Sequence, residues 1–226
     1  MKTADFLKTL DVAVLKPEAS MHELLHVAEL CADLGVGTLC VKSCDVRFAV
    51  ECLRGSQTKP IAVVGFPHGN TLGSVKAIEA QMAVAQGAEE IDMVINVSAL
   101  KDGDVEGVQD EIQSVVTASY PAPVKVILET ALLTTAEIRK GVACAIKAGA
   151  AFVKTSTGFA SNGATPEAVK TMLAASKGKI KVKASGGIRT REDAEAYLAM
   201  GCERLGVGQV VPLLTAAEKK RLGIDA

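Results

Sequence analysis

Eight short apolar runs rich in Val and Ile, each followed by a stretch with helical spacing, constrain this chain more than any other feature. The runs fall at 11–15, 36–41, 60–64, 89–95, 123–128, 151–154, 180–184 and 204–207. The helical stretches fall near 20–34, 45–54, 71–86, 104–119, 135–149, 165–176, 190–200 and 212–221. Helix starts are marked by Thr134-Thr135 ahead of Glu137, Thr165 ahead of Pro166, and Thr190 ahead of Glu192-Asp193, because such side chains satisfy the free N–H groups of a first turn. Gly35, Gly87, Gly149 and Gly201 mark helix ends. Strands separated by helices pair in parallel through right-handed crossovers. Eight such units in 226 residues leave no room for a second domain, so the expected architecture is α/β, a single (β/α)8 TIM barrel over 1–226 with a short N-terminal helix in MKTADFLKTL. An open doubly wound sheet is the alternative, but no GxGxxG follows the first run to make its phosphate loop.

Composition narrows the setting. Apolar residues are 49 % of the chain and aromatics 3 %, with no Trp, so the core must rest on Val, Ile, Leu and Ala, which suit strands buried on both faces. A net charge of -1 gives no basic groove, so no nucleic acid partner is expected. No apolar run reaches membrane-spanning length, and the N-terminus lacks the apolar core of a signal peptide, so no membrane partner and a cytoplasmic location are expected. Six cysteines without a CxxC pair read as buried thiols, with Cys40 set apart by its place at a strand end. Outer-helix contacts of such barrels make a homodimer the expected assembly.

In a barrel of this kind the active site lies at the C-terminal ends of the strands. Ionisable residues there stand out against the apolar pattern: Asp11 in the first run, Cys40 in the second, Asp92 in the fourth, Glu129 after the fifth, Lys154 in the sixth and Lys183 in the seventh. The strand period of two puts Phe152 with Lys154, Lys181 with Lys183 and Ser185, and Glu90 with Asp92. If those faces point inward, two lysines and an aspartate converge in one mouth. A purely stabilising Lys154–Asp92 pair is the plain reading, but buried pairs stabilise weakly and leave the second lysine unexplained. Amine activation explains it: burial and a neighbouring cation favour the free amine of a lysine whose ordinary value is ~10.4, and a thousandfold change costs roughly 4 kcal/mol. Such an amine forms a Schiff base with a carbonyl. Gly186-Gly187 and Gly206-Val207-Gly208 follow the last two runs, where backbone N–H groups commonly hold a phosphate; glycine is also common there for backbone reasons alone.

At these residues the chain resembles the 2-deoxyribose-5-phosphate aldolase family of class I aldolases. The strings that carry the resemblance are VGFPHGN (64–70), EIDMVINVSALKDGD (90–104), VKVILET (124–130), FVKTSTGFASNGAT (152–165) and VKASGGIRTREDA (182–194). The resemblance implies that Lys154 is the Schiff-base nucleophile, that Lys183 is the neighbouring cation, and that Asp92 works with Lys183 and a water in proton relay. It implies reversible cleavage of deoxyribose 5-phosphate to glyceraldehyde 3-phosphate and acetaldehyde, as in deoxyribose phosphate catabolism. No metal or organic cofactor is implied, since the iminium is itself the electron sink. It places Gly186 and Gly187 at the phosphate and Thr157 near the substrate; Asp11, Cys40, Gly206 and Gly208 are expected as further substrate contacts from their own positions at strand ends.

Three stretches depart from the family pattern. Val12-Ala13 stand where His-Thr is usual, Lys42-Ser43 where Asn-Pro is frequent, and Gly208-Gln209 where a Ser pair is usual. They leave open an acceptor that is different or unphosphorylated, and a barrel that binds a sugar phosphate without catalysis stands as a reading of another class. Lys42 is either a replacement cation or solvated. Two further signals are set aside. His22-Glu23-Leu24-Leu25-His26 matches HExxH, but His22, His26, Glu29 and Asp33 form the polar stripe of a helix whose other side is Leu24, Leu25, Ala28 and Cys31. His68 sits in a turn, where a structural role is as reasonable as substrate contact.

Overall fold

The computed structural model describes residues 1–224. In chain order the elements are α1 (Thr3–Lys8), β1 (Leu10–Val14), α2 (Met21–Leu34), β2 (Thr38–Val41), α3 (Val46–Cys52), β3 (Lys59–Val64), α4 (Gly73–Ala85), β4 (Glu90–Val94), α5 (Val97–Lys101), α6 (Val105–Ser119), β5 (Val124–Ile127), α7 (Thr135–Lys147), β6 (Phe152–Lys154), α8 (Pro166–Ser176), β7 (Lys181–Ser185), α9 (Arg191–Met200), β8 (Arg204–Val207) and α10 (Ala216–Leu222). Every strand pairs in parallel with the next, and β8 returns to β1 with Asp11 opposite Gly206, closing the barrel. The molecule is therefore a (β/α)8 TIM barrel. The open-sheet alternative is excluded by the β1–β8 pairing.

Alternation along each strand sorts the side chains into two environments. Val12, Leu39, Val64, Ile91, Met93, Val126, Val153, Val182 and Leu205 point outward into one continuous core shared with the helices. The inward set is mostly polar, and its apolar part includes a small cluster of Leu15, Cys40, Ile61 and Val63. Burying a leucine-sized side chain is worth roughly 2 kcal/mol, so the outer layer carries the fold and leaves the interior free for polar groups. The expected capping signals form: Thr134 and Glu137 make a reciprocal capping box on α7, and the Thr165 and Thr190 side chains cap α8 and α9.

Some boundaries differ from the sequence expectation, each for a local reason. The second strand starts at Thr38 rather than 36, because Gly37 N–H bonds to Leu7 O as the chain passes α1 (3.0 Å). Residues 97–101 form a short helix that apolar periodicity did not reveal; the Asn96 side chain caps it by accepting from Ala99 N–H. The helix expected over 212–221 splits into a turn at Val211–Leu213 and α10, since the Thr215–Glu218 capping box starts a new helix. On α2, His22 and His26 are solvent-exposed as the polar-stripe reading requires, and Leu25 joins them at the surface. Among the described residues no helix is long and apolar enough to cross a membrane.

Candidate active site

The inward faces of the strands assemble a buried ionic lattice. Asp92, on β4, is fully buried and meets the Nζ atoms of three lysines. Its Oδ2 accepts from Lys154 Nζ at 2.8 Å and from Lys183 Nζ at 2.7 Å, and its Oδ1 accepts from Lys125 Nζ at 2.8 Å. Lys154 and Lys183 are register partners on adjacent strands, which is why one oxygen can serve both. Lys183 also bonds to Asp11 on β1. One layer deeper, Lys125 pairs with Glu90 at 2.5 Å, and Arg204 bridges Glu90 at 3.4 Å and Thr38 Oγ1 at 3.2 Å. Lys181 lies apart: it is exposed and pairs with Glu203.

The charge states follow from these contacts. Burial pushes the Asp92 carboxyl up, but Lys125, Lys154 and Lys183 outweigh it and hold the group well below the usual carboxylate range. Burial opposes the Lys183 charge, yet Asp11 and Asp92 together raise this ammonium above the ordinary lysine value. Lys183 is thus a permanent cation next to Lys154. Glu90 is held low as well, because Lys125 and Arg204 overcome its burial. Burial, reinforced by Asp11 and Asp92, keeps Cys40 a neutral thiol.

Above this lattice opens a cavity of about 630 Å³. Lys154 and Lys183 reach its floor, and Asp11, Cys40, Thr157, Gly186, Gly187, Gly206 and Gly208 all line it, so these sequence-predicted contacts converge on one space. Asp92 lies beneath the floor. Gly206 also makes room for Ser185 and Lys183, because a Cβ there would fall 2.2 Å from Ser185 Oγ and 3.3 Å from Lys183 Cε. The departures from the family pattern separate. Val12 points into the outer core while Ala13 lines the cavity. Lys42 is absent from the lining; its Nζ pairs with Asp45 at 3.2 Å and reaches the carbonyls of Lys16 and Ala19. Gly208 and Gln209 line the cavity, together with the exposed cations Lys16 and Arg189. His68 is exposed and outside the lining.

Sequence reasoning missed Lys125. The signal was present, a charged residue between Val124 and Val126 inside a strand, the same signal that singled out Asp92. Glu129 was noted only as a strand end; it is buried and holds Thr157.

Fold and site together define a (β/α)8 barrel enzyme with a buried lysine at the floor of a small-molecule cavity. The profile of the DeoC/LacD family aldolases matches residues 5–208. A deoxyribose-phosphate aldolase of Clostridium perfringens (strain 13) is 42 % identical over 214 residues, covering 94 % of this chain and 96 % of that protein. One of Streptococcus gordonii is 44 % identical over 209 residues, covering 92 % and 94 %. Among solved structures, QR15, an aldolase, superposes with a TM-score of 0.91 at 38 % identity, covering 98 % of this chain and 99 % of that one. A tetrameric deoxyribose phosphate aldolase from Aeropyrum pernix gives 0.85 at 32 % identity, covering 94 % and 90 %. The chain belongs to the DeoC/LacD aldolase family, whose members are carbon–carbon lyases.

Proposed function

We propose that this protein cleaves 2-deoxyribose 5-phosphate reversibly to glyceraldehyde 3-phosphate and acetaldehyde, with Lys154 as the nucleophile. The observation that carries this reading is the shared contact of Lys154 and Lys183 on one buried oxygen of Asp92. Four cations, Lys125, Lys154, Lys183 and Arg204, face three carboxylates, Asp11, Glu90 and Asp92. Counting only these directly ion-paired groups, the set is neutral when Lys154 is the free amine, the form that attacks a carbonyl.

The chemistry follows in steps that balance. Lys154 Nζ adds to C1 of the open-chain sugar, and loss of water gives an iminium. The C3 hydroxyl gives up its proton, the C2–C3 bond breaks, and its electron pair passes into the iminium to give an enamine. Glyceraldehyde 3-phosphate leaves. A proton added at C2 regenerates an iminium, and water releases acetaldehyde and the amine. Asp92 and Lys183, with a water, serve as the proton relay. Gly186 and Gly187 present backbone N–H groups to the phosphate, and Lys16 and Arg189 at the same mouth add positive charge.

Absence of side-chain hydroxyls at Gly208 and Gln209 favours a second reading, an unphosphorylated acceptor. Comparing kcat/KM for deoxyribose 5-phosphate and deoxyribose decides between them: a strong preference for the phosphorylated sugar is expected, and equal rates overturn the phosphate assignment. Acetaldehyde with borohydride, followed by peptide mass spectrometry, tests the lysine. Modification of the Lys154 peptide is expected, and an unmodified protein favours the non-catalytic barrel.

Six free thiols fit the reducing cytoplasm expected from the sequence. The homodimer expectation gains support from Leu72, Val75, Ile78 and Met82, which leave an apolar stripe exposed along α4.

A further inference from the structure

Glu129 is a buried acid beside the cavity wall that, unlike Asp11, Glu90 and Asp92, forms no ion pair among the described residues. It follows β5 with φ 56° and ψ 64°, the left-handed region that a non-glycine residue enters at a cost of about 1 kcal/mol. It is 4 % exposed. Burial raises its carboxyl above the ordinary range, against the hydrogen bonds from Thr157 and the pull of Lys154. A strained backbone and a costly buried acid at one position need a purpose elsewhere.

Both donors of Thr157 end on this carboxylate. Thr157 N–H donates to Oε2 at 3.2 Å and to Oε1 at 3.4 Å, and the Thr157 hydroxyl donates to Oε2. The same hydroxyl oxygen accepts from Phe159 N–H at 3.0 Å. The backbones on either side are tied together: Leu128 N–H donates to Lys154 O at 3.0 Å and Thr130 N–H to Thr155 O at 2.9 Å. Glu129 is thus anchored to the strand that bears Lys154 and grips the segment that leaves it. Thr157, Gly158 and Phe159 of that segment line the cavity, and Phe159 meets Phe66 edge to face with ring centroids 5.2 Å apart.

We infer that Glu129 is a positioning residue that fixes Thr157 as a hydrogen-bond acceptor, making this cavity wall selective for a substrate hydroxyl. With its one proton held by Glu129, the Thr157 oxygen has only a lone pair left to offer. It therefore meets donors and discriminates against substrates that present none. The inference rests on the aldolase reading above and adds the polarity of one wall to it.

The test compares a substrate that carries hydroxyls with one that does not. Glu129→Gln keeps the size of the side chain but adds an amide donor that can turn the Thr157 hydroxyl proton outward. Thr157→Val removes the acceptor itself. For each variant and for the double variant, kcat/KM is measured on deoxyribose 5-phosphate, alongside the rate of borohydride trapping by acetaldehyde, which has no hydroxyl. Each single variant is expected to lose about tenfold in kcat/KM, the size of one hydrogen bond, with trapping changed less than about twofold. The double variant should match Thr157→Val alone, since both act on one contact. Unchanged kcat/KM in Glu129→Gln, a parallel loss of trapping, or losses that multiply in the double variant would each overturn the inference. Thr157→Val keeps the question answerable if Glu129→Gln folds poorly. Failure of the wild-type protein to be trapped at all overturns the Schiff-base reading, and this inference falls with it.

Discussion

Replacing Lys125 by Met probes the charge balance inside the barrel without touching the cavity. Lys125 is fully buried, pairs with Glu90 at 2.5 Å and Asp92 at 2.8 Å, and does not line the cavity. Its removal leaves three cations against three carboxylates, a set that is neutral only when Lys154 carries its proton. Two like charges about 5 Å apart at an effective dielectric of about 20 interact by about 3 kcal/mol, which is the repulsion that Lys154 would no longer feel. An energy of that size corresponds to roughly a hundredfold in rate. The expected result is a loss of about two orders of magnitude in kcat/KM for retro-aldol cleavage at pH 7. Glu90 and Asp92 also lose a partner, so urea unfolding should show a stability loss of about 3–5 kcal/mol. Full activity at pH 7 in a folded Lys125→Met protein refutes the balance.

Further outcomes follow from the same contacts. Lys154→Leu should abolish turnover and acetaldehyde trapping while circular dichroism shows the barrel intact; comparable activity removes Lys154 from its role. Gly206→Ala places a methyl 2.2 Å from Ser185 Oγ and 3.3 Å from Lys183 Cε, so it should cost about 1–3 kcal/mol in thermal unfolding and lower activity by displacing Lys183. An unchanged melt and rate would show that the neighbours yield freely. Asp92 and Glu90 are held below the usual carboxylate range in the folded state, so the stability they contribute is full above about pH 4.3 and is lost as the pH falls through their folded values. Urea midpoints measured from pH 6 down to pH 3 should therefore fall, and a flat profile contradicts the assignment. Ile78→Lys on the exposed stripe of α4 should convert an associated species to monomer in light scattering, and an unaffected assembly places the contact elsewhere.

Local signals in the chain already carried most of the architecture. The eightfold alternation set a parallel sheet covered by helices, because short apolar runs buried on both faces suit parallel strands, and the β1–β8 pairing then closed it into a barrel. Capping residues located the helix starts, since a first turn has free N–H groups whatever the surroundings. Lys154, Lys183 and Asp92 were visible as charges inside apolar strands, and the strand period already gave the faces they share.

Closure of the barrel decided the rest. Which carboxylate serves which ammonium depends on register across strands far apart in sequence: Asp11 reaches Lys183 only because β8 returns to β1. Lys125 shows the same limit, for its meaning lies in Glu90 and Asp92 beside it, and a charged residue in one strand does not reveal which charges face it. The sequence left Lys42 as either a substitute cation for the substrate or a solvated side chain, and the fold turns it to Asp45 and the loop after β1. Glu129 reads in the sequence as a strand end. Its left-handed backbone and its grip on Thr157 exist only after two strands are laid side by side, because hydrogen-bond partners are chosen by distance in space and not by separation along the chain.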